Sequence, residues 1–315
     1  MTVEEVARSV LGAINTSANL LLAARWVSER YQKLCSRTRF RHLRTVGELL
    51  IPADIADGTA TFTRGERRVT GNATARSVWD TRVVGRHIRA ATTWYLVEEA
   101  TAGELRLATG FGESDTASAY RVVPRHVTLA PEAKWLSDTG FVLMRRRKPL
   151  RNIALAELDT VAPERQRITT PDVWAEVGYG LTPDGVRART VEVYPYCDDT
   201  ELVHYVYWAQ PEDLQYRDSV PAVIDSYVLK EGALIDAMRY EAAGAARAGQ
   251  IEAAAYWRNE YRAQATSWER EVLEAIRGDK GVDDVMFILQ RAGVPASEHD
   301  IISARDEIFV RGARP

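Results

Sequence analysis

Residues 59–70 have the sequence TATFTRGERRVT, and this stretch decides the fold class of the chain. Apolar and polar side chains alternate on each side of Arg64-Gly65-Glu66, which is typical of two antiparallel strands joined by a tight turn. Similar short runs continue to about residue 125, and they predict further strands at 83–89, 92–98, 104–108 and 119–124. About six short strands in about 70 residues favour a small antiparallel β-barrel or sandwich.

Upstream of this β segment, the spacing of apolar residues changes to that of amphipathic helices. Apolar residues recur every three or four positions, which predicts one helix over residues 3–14 and another over about 17–37. The apolar stripe of the second helix consists of Leu20, Ala24, Val27, Tyr31 and Leu34.

Downstream of the β segment, residues 131–209 combine both patterns. Ala154 to Val161 is predicted to form a short helix, and Thr170-Pro171 is an N-cap and first-turn pair that predicts another helix through Val177. A second hairpin is predicted next, with its turn in the polar segment 196–200 and its strands at Thr190–Tyr194 and Glu201–Trp208.

The last third of the chain returns to helical spacing. A helix at about 221–243 and a longer one at about 250–277 are predicted to form an antiparallel helical hairpin. Gly232 in the first of them costs about 1 kcal/mol relative to Ala, and a close helix–helix contact would explain its presence. A shorter helix is predicted at about 282–292.

The two groups of helices each carry an apolar stripe that neither can bury alone, so we expect them to pack together. The predicted fold is therefore α+β. A helical bundle forms from residues 1–50 and 210–292, with a small antiparallel β-barrel or sandwich inserted at 51–130 and a mixed region with a β-hairpin at 131–209. Residues 293–315 are predicted to be a C-terminal arm.

The composition excludes several classes of protein. The chain has 315 residues, of which 46% are hydrophobic and 27% charged, so it can bury a core without disulfide staples and is neither disordered nor fibrous. Its net charge of −3 argues against wholesale nucleic-acid binding. Arg outnumbers Lys by 36 to 5, which suits ion pairs and interfaces, although a GC-rich coding sequence explains the same bias.

No pattern of residues indicates a catalytic site. Motifs for a hydrolase elbow, a phosphate-binding loop and a zinc protease are missing, and Gly110-Phe111-Gly112 lacks the third glycine of a dinucleotide fingerprint. Asp198-Asp199 and Asp283-Asp284 are assigned to a turn and a helix start, where acidic residues are common. Cys35 and Cys197 are predicted to be reduced, and the histidines show no metal-ligand spacing. No cofactor, metal or membrane segment is predicted.

Two clusters of basic residues are the candidate binding sites. The first consists of Arg37, Arg39, Arg41 and Arg44, and the second is the run Arg145, Arg146, Arg147 and Lys148. Arginine forks bind phosphates and acidic protein surfaces. Each cluster could lie at a subunit interface or close to DNA, or could instead form a solvated face with ion pairs inside the chain.

An ordered set of motifs resembles the neck proteins of tailed bacteriophages. The segment Asp57–Gly65 followed by Arg68–Thr74 is similar to that family's Gly-Thr-Val-x-Val-Thr-x-Gly and x-Val-x-Gly-x-Gly-Thr patterns, except that Asn72 stands where Ser is frequent and Ala73 replaces the second glycine. Further matches follow in order at Gly85–Ile88, Trp94–Val97, Val191–Pro195, Val203–Tyr207, Asp218–Pro221, Tyr227–Leu234 and Ala255–Trp257.

The resemblance implies a head-to-tail adaptor, a structural virion protein. Such proteins form a ring, usually of twelve copies, below the portal protein; the ring extends the DNA channel and provides the docking surface for tail or nozzle proteins. The implied location is the virion neck, with the host cytoplasm during assembly. DNA would pass without sequence-specific binding, and no membrane is involved. The candidate portal contact is the arm, through Ile301, Ile302, Ile308, Phe309, Val310 and Arg311.

Two other classes remain open at this point. One is a different neck protein, such as a tail-tube or tail-completion protein with a similar β segment. The other is a glycan-binding module or enzyme, for which Trp79, Trp94 and Tyr95 are the available aromatics. Trp94 and Tyr95 are expected on opposite faces of one strand, which argues against a single aromatic platform.

Overall fold

A computed structural model describes residues 1–279, apart from residues 15, 17, 102 and 183. The fold is mixed α/β, as predicted, and its strands include a curled antiparallel sheet that forms a half-barrel. The described chain divides into two compact units. A helical unit comprises Met1–Thr45 together with the chain from Trp208 onward, and a β unit comprises Val46–Tyr207.

Six α-helices lie in the described residues: α1 (Val3–Ala13), α2 (Leu20–Cys35), α3 (Ala73–Val78), α4 (Leu155–Val161), α5 (Ser226–Arg247) and α6 (Ile251–Gly278). The strands are β1 (Arg44–Ile51), β2 (Ala60–Phe62), β3 (Arg68–Gly71), β4 (His87–Arg89), β5 (Tyr95–Thr101), β6 (Glu104–Leu107), β7 (Thr116–Ser118), β8 (Arg121–Val123), β9 (Val127–Thr128), β10 (Ala133–Leu143), β11 (Lys148–Pro149), β12 (Arg151–Asn152), β13 (Val173–Leu181), β14 (Arg187–Tyr194) and β15 (Glu201–Ala209).

The helical unit is built from both ends of the chain. Thr2 caps α1 in a capping box with Glu5, which satisfies two backbone N–H groups at the helix start. The backbone N–H of Val3 donates to the carbonyl of Asp218 at 2.9 Å, so the N-terminus is held by the segment that leads into α5. Helix α5 then packs against α1, α2 and α6.

Gly232 of α5 lies against the side chain of Trp268 from α6. A Cβ atom at this position would stand 2.7 Å from Trp268 Nε1 and 3.1 Å from Arg30 Cδ. The Trp268 ring is buried, and its Nε1 donates to the Val228 carbonyl at 3.0 Å, so the ring cannot easily move aside. The close helix–helix contact expected at Gly232 is therefore confirmed.

The curled sheet of the β unit contains the segment on which the fold prediction began. Its strand order is β7-β2-β3-β6-β5-β4-β8, and every neighbouring pair is antiparallel. Thr61 lies opposite Thr70 across β2 and β3, which confirms the predicted hairpin. One face of the sheet is filled by buried apolar side chains, including Phe62, Val69 and Leu105.

Two four-stranded sheets complete the β unit, with strand orders β1-β15-β10-β11 and β12-β13-β14-β9. The hairpin predicted from Thr190–Tyr194 and Glu201–Trp208 is wrong, because both strands form but β14 pairs with β13 and β15 lies in the other sheet. Aromatic side chains pack between these strands: Phe141 of β10 stacks on Trp174 of β13, with ring centroids 4.1 Å apart, and lies 5.3 Å from the ring of Tyr205 on β15. Strands β10 and β1 were not predicted, because their sequences show no clean alternation.

The helix predicted from Thr170-Pro171 through Val177 is wrong. This stretch enters β13, whose residue Val173 lies opposite Tyr194 of β14. Burial of Trp174 and Ala175 together with the strand pairing outweighs the local capping signal. The strand predicted over 83–89 is also shorter than expected, because Thr81–Val83 form a 3-10 turn and only β4 pairs.

Most helix boundaries agree with the predicted ones to within a few residues. Helix α5 is the exception at its start, where Asp225 rather than the segment at Pro221 provides the N-cap by accepting from the Tyr227 backbone N–H at 2.8 Å. The helix predicted at 282–292, the Asp283-Asp284 pair and the arm at 293–315 lie outside the described residues.

Replacing Gly232 with Ala is expected to lower the free energy of unfolding by about 1–3 kcal/mol, because the new methyl group overpacks the contact with Trp268. Gly244 in the same helix is the matched control. A Cβ atom there would meet no neighbouring group within 4 Å, so Gly244→Ala is expected to add up to about 1 kcal/mol through helix propensity. Urea unfolding, monitored by the ellipticity at 222 nm, measures the free energy of unfolding of both variants. Equal stabilisation by the two substitutions would contradict the close contact.

Candidate functional site

The first basic cluster lies in the helical unit and is held there by acidic partners. Arg37 forms an ion pair with Glu269 of α6, with Nη2 donating to Oε1 at 2.8 Å. Arg41 donates to Asp279 from its backbone N at 2.7 Å and from Nε at 2.6 Å. These two arginines therefore fasten the segment after α2 to the second half of α6.

The other two arginines of this cluster lie over an aromatic ring. The Cζ atoms of Arg39 and Arg44 lie 5.2 and 5.8 Å from the ring centroid of Trp208. Arg44 is buried, and Arg39 is exposed. Cation–π contacts of this kind contribute about 0.5–2 kcal/mol, more when water is excluded. The structure thus brings the four predicted arginines into one unit, where each has an intramolecular partner.

A second set of cations, which the sequence did not single out as a site, surrounds Trp268. Arg30, Lys33 and Arg37 lie 4.9, 5.3 and 5.0 Å from the centroid of its ring. Arg30 also forms a bidentate ion pair with Asp236 of α5, at 2.5 and 2.6 Å, with little solvent access to either side chain. Burial, followed by the charges of Arg30 and Arg37, lowers the pKa of Lys33.

The second basic cluster lies in the β unit, at the turn between β10 and β11. Arg145 Nη1 lies 3.0 Å from Asp199 Oδ2, and Arg146 Nε lies 3.7 Å from the buried carboxylate of Glu201. Lys148 forms an ion pair with Asp172, and Arg147 occupies the turn with a φ of 50°. Asp199 thus lies in a turn, as expected, and carries one of the partners of this cluster.

The β unit also contains a buried charge network that sequence reasoning missed. The Glu192 carboxylate is fully buried, and its Oε1 accepts from Arg165 Nε at 3.0 Å, Tyr196 OH at 2.8 Å and Arg125 Nε at 3.3 Å. Arg165 also pairs with Asp159 and donates to the carbonyls of α4 residues. Burial, followed by the Glu192 charge, raises the pKa of Tyr196, which keeps its hydroxyl protonated as a donor.

The network leaves one polar atom without a partner. Glu192 Oε1 accepts all three hydrogen bonds, while the buried Oε2 accepts none from the described side chains. A 390 Å³ surface hollow beside the network is lined by residues 161–167 and Tyr194. A larger hollow of 470 Å³ adjoins it, where the Arg89 guanidinium donates to the carbonyls of Ala91 and Glu164. A network of this kind fixes the packing of α4 against the sheet.

The β unit contains one buried cysteine, Cys197, and a pair of histidines in contact with each other. Burial, followed by the charge of Glu201, raises the pKa of Cys197 to about 12, which keeps it as an inert thiol. His87 and His126 meet edge to face, with ring centroids 4.8 Å apart. Within the described part of the chain, the His, Cys, Asp and Glu side chains form no cluster that could hold a metal ion.

The aromatic residues considered for glycan binding do not share one exposed face. Trp79 is buried and donates to Tyr120 OH at 3.0 Å, and Tyr95 is buried against Phe111. Trp94 is half-buried, and its ring meets that of Tyr196 edge to face at 5.6 Å.

The motif that carries the family resemblance forms a tight structural corner. Asn72 caps α3 by accepting from the Ala75 N–H at 2.9 Å, a role that Ser fulfils equally well. Gly58 has a φ of 88°, and a Cβ there would stand 2.4 Å from Asn72 Oδ1. Asn72 therefore caps α3, and Gly58 leaves room for its side chain.

Comparisons with protein-family models and with curated proteins give no match to this chain. Among the described helices, none is both long and apolar enough to cross a membrane. The portal-contact residues Ile301, Ile302, Ile308, Phe309, Val310 and Arg311 lie outside the described residues.

Acidification is expected to destabilise the β unit through His87. Burial, followed by the nearby His126 and Arg125, lowers the pKa of His87 to about 3 from an ordinary value of 6.5. Between pH 6.5 and pH 3, His87 is therefore protonated in the unfolded chain but neutral in the folded chain. The free energy of unfolding that is present above pH 6.5 decreases as the pH falls toward 3. This one group removes about 2 kcal/mol between pH 7.5 and pH 5.

Urea unfolding at the two pH values measures this loss. His87→Phe keeps an aromatic ring but removes the titration, so the variant should lose about 2 kcal/mol less than the natural chain over the same interval. Equal pH dependence of the two proteins would show that His87 does not titrate in this way.

Proposed function

We propose that this chain is a structural head-to-tail adaptor of a tailed bacteriophage. The observation that carries the proposal is the ordered set of neck-protein motifs between about residues 20 and 277. The two-unit organisation is compatible with it, because both ends of the chain contribute to the helical unit and the β unit is an insertion between them. The finer fold that we propose is a helical bundle carrying a small β-barrel.

In this proposal the helical unit forms the wall of a ring that extends the DNA channel below the portal protein. A ring repeats one heterologous interface around its axis, usually in twelve copies for this family. Arg37, Arg39 and Arg41 are exposed, so their remaining donors would serve the interface between subunits. Arg44 is buried against Trp208 and would support this surface from within. The net charge of −3 suits a lumen through which DNA passes without sequence-specific binding.

The β unit would face the tail or nozzle proteins, and residues 293–315 would contact the portal. The turn with Arg145, Arg146, Arg147 and Lys148 is exposed at the edge of a sheet, where acidic groups of a neighbouring protein could reach it. The work of such a protein is assembly, with no cofactor, no membrane partner and no catalytic step. Its place would be the neck of the virion, reached from the host cytoplasm.

A second candidate is a tail-tube or tail-completion protein. The curled antiparallel sheet favours it, since a half-barrel of this kind can pair edge to edge with copies of itself. The two functions differ in the first partner that the chain binds, which is the portal for an adaptor and the tail tube for the alternative.

Binding to the portal protein encoded with this chain tests the proposal. We expect the purified chain to join a preformed portal ring at one copy per portal subunit, because a ring interface and the portal contact form together. Negative-stain imaging and mass photometry of the mixture measure this. If the chain binds the tail-tube protein but not the portal, the second candidate function is supported. If it binds neither protein, both candidate functions are contradicted.

The same mixture tests the arm. Deleting residues 293–315 should abolish portal binding, while the circular dichroism spectrum and the urea midpoint of the remaining chain stay unchanged. Portal binding by the shortened chain would exclude the arm as the contact.

A further inference from the structure

The larger surface hollow of the β unit, with a volume of 470 Å³, is lined by residues of strands β4 and β8 and of the segment that follows α4. Its lining includes Arg89 of β4, Arg121 of β8, Trp94, Gln166 and Ile168. All of these residues belong to the β unit, so the hollow lies within one compact unit. We call it the β4–β8 hollow.

Two arginines lie directly opposite each other at this hollow. Arg89 and Arg121 are Cα partners across β4 and β8, so both side chains point to the same face of the sheet. Like charges in this arrangement repel each other. An anion that accepts hydrogen bonds from both guanidinium groups removes this repulsion, because each N–H then points at a negative charge.

The carboxylates already nearby leave donors on both arginines. Arg121 Nη1 donates to Asp54 Oδ2 at 3.1 Å, while 47% of the Arg121 side chain remains exposed. Arg89 donates to the backbone carbonyls of Ala91 and Glu164, at 2.6 and 2.8 Å. Arg89 Nη2 lies 3.6 Å from Glu164 Oε2, which is beyond hydrogen-bond distance. A guanidinium carries five N–H donors, so both arginines retain donors for a further acceptor.

The aromatic part of the hollow is held in one orientation. Trp94 Nε1 donates to the Glu164 carbonyl at 3.1 Å, and the Trp94 ring meets that of Tyr196 edge to face at 5.6 Å. Arg89 Cζ lies 5.7 Å from the centroid of the Trp94 ring. The indole is half-buried, so its remaining surface can contact an apolar side chain bound in the hollow.

The segment that carries Gln166 and Ile168 is fixed by the buried network around Glu192. Arg165 has a φ of 51°, in the left-handed region that residues other than glycine rarely adopt, and its ion pair with Glu192 is buried. Ile168 forms a β-bridge with Tyr196, whose hydroxyl donates to the same carboxylate. A wall that is held in this way loses little conformational entropy when a ligand binds.

We propose that the β4–β8 hollow binds an acidic peptide segment of a partner protein, one that carries a carboxylate and a neighbouring apolar side chain. The carboxylate accepts hydrogen bonds from Arg89 and Arg121. The apolar side chain packs on Trp94 and Ile168. The lining of the hollow also includes three alanines, which leave room for such a side chain.

The distribution of charge favours a peptide carboxylate over a nucleic acid. Asp54 and Glu164 lie beside the two arginines, and the whole chain has a net charge of −3, so a polyphosphate strand would be repelled. A single carboxylate needs only a few donors, which Arg89 and Arg121 retain. The inference goes beyond the proposed function and does not depend on it, because its test needs no phage protein.

The NMR signals of the tryptophan indole N–H groups in the full chain test the proposal. The chain has eight tryptophans, and Trp94→Phe identifies the signal of Trp94 among them. The peptide acetyl-Ala-Glu-Phe-Ala-amide should shift this signal until it saturates. The matched peptide acetyl-Ala-Gln-Phe-Ala-amide should bind about fivefold more weakly, because it lacks the negative charge. The signal of the buried Trp174 should not move.

Two results of this titration would overturn the proposal. One is equal binding of the two peptides, or a Trp94 signal that neither peptide shifts. The other is a shift that a thymidine octanucleotide produces and the Glu peptide does not, which would assign the hollow to phosphate.

Substitutions at the rim separate binding from folding. Arg121→Gln should weaken binding of the Glu peptide about fivefold and leave binding of the Gln peptide unchanged. Arg106→Gln is the matched control, because Arg106 is an exposed, paired arginine on β6 of the same curled sheet and lies outside the lining of the hollow. It should change the binding of neither peptide.

Asp54→Asn should strengthen binding of the Glu peptide about twofold, because it releases an Arg121 donor. A misfolded variant cannot produce this gain in affinity. Equal effects of Arg121→Gln and Arg106→Gln on the Glu peptide, or no gain from Asp54→Asn, would overturn the proposal.

Discussion

The buried ion pair between Arg30 and Asp236 joins the two ends of this chain. Arg30 comes from α2 near the N-terminus and Asp236 from α5, and the whole β unit lies between them in sequence. The guanidinium also lies over the ring of Trp268 from α6, which in turn rests on Gly232. Removing one partner of such a pair leaves a buried charge uncompensated, at a typical cost of about 3–5 kcal/mol. Loss of either partner would therefore weaken the packing of α2 against α5 and α6.

These contacts give a structural reason for the high Arg content. Arginines pair with carboxylates in bidentate fashion, as Arg30 and Arg37 do, and their guanidinium groups lie over the rings of Trp208 and Trp268. A lysine ammonium cannot make a planar fork or stack in this way, so an Arg-to-Lys change at these places is not conservative. The basic clusters that first suggested contacts with phosphate thus also stabilise the two units from within. Codon bias can supply arginines, but it does not place them opposite Glu269 and Asp279.

Local patterns predicted those parts of the fold that depend on local physics. Apolar spacing was sufficient for α2 and α6, and alternation around Gly65 was sufficient for the β2–β3 hairpin, because each buries one face. Strand β13 was missed because its pairing with β14 and the burial of Trp174 override a good capping signal. The Glu192–Arg165 and Arg30–Asp236 pairs join residues distant in sequence, and no spacing rule shows which charges will be buried. For the candidate site, the sequence predicted the basic residues but not the carboxylates and tryptophans that they contact.

The proposed neck adaptor would work through contacts between subunits, and the described residues form two folded units whose arginines are paired within the chain. The proposed function rests on assembly alone. Quantitative mass spectrometry of purified virions is the most direct measurement of that claim. The proposed function predicts that this chain is present in the mature particle at the same copy number as the portal protein. Its absence from mature particles, or a copy number many times that of the portal, would contradict it.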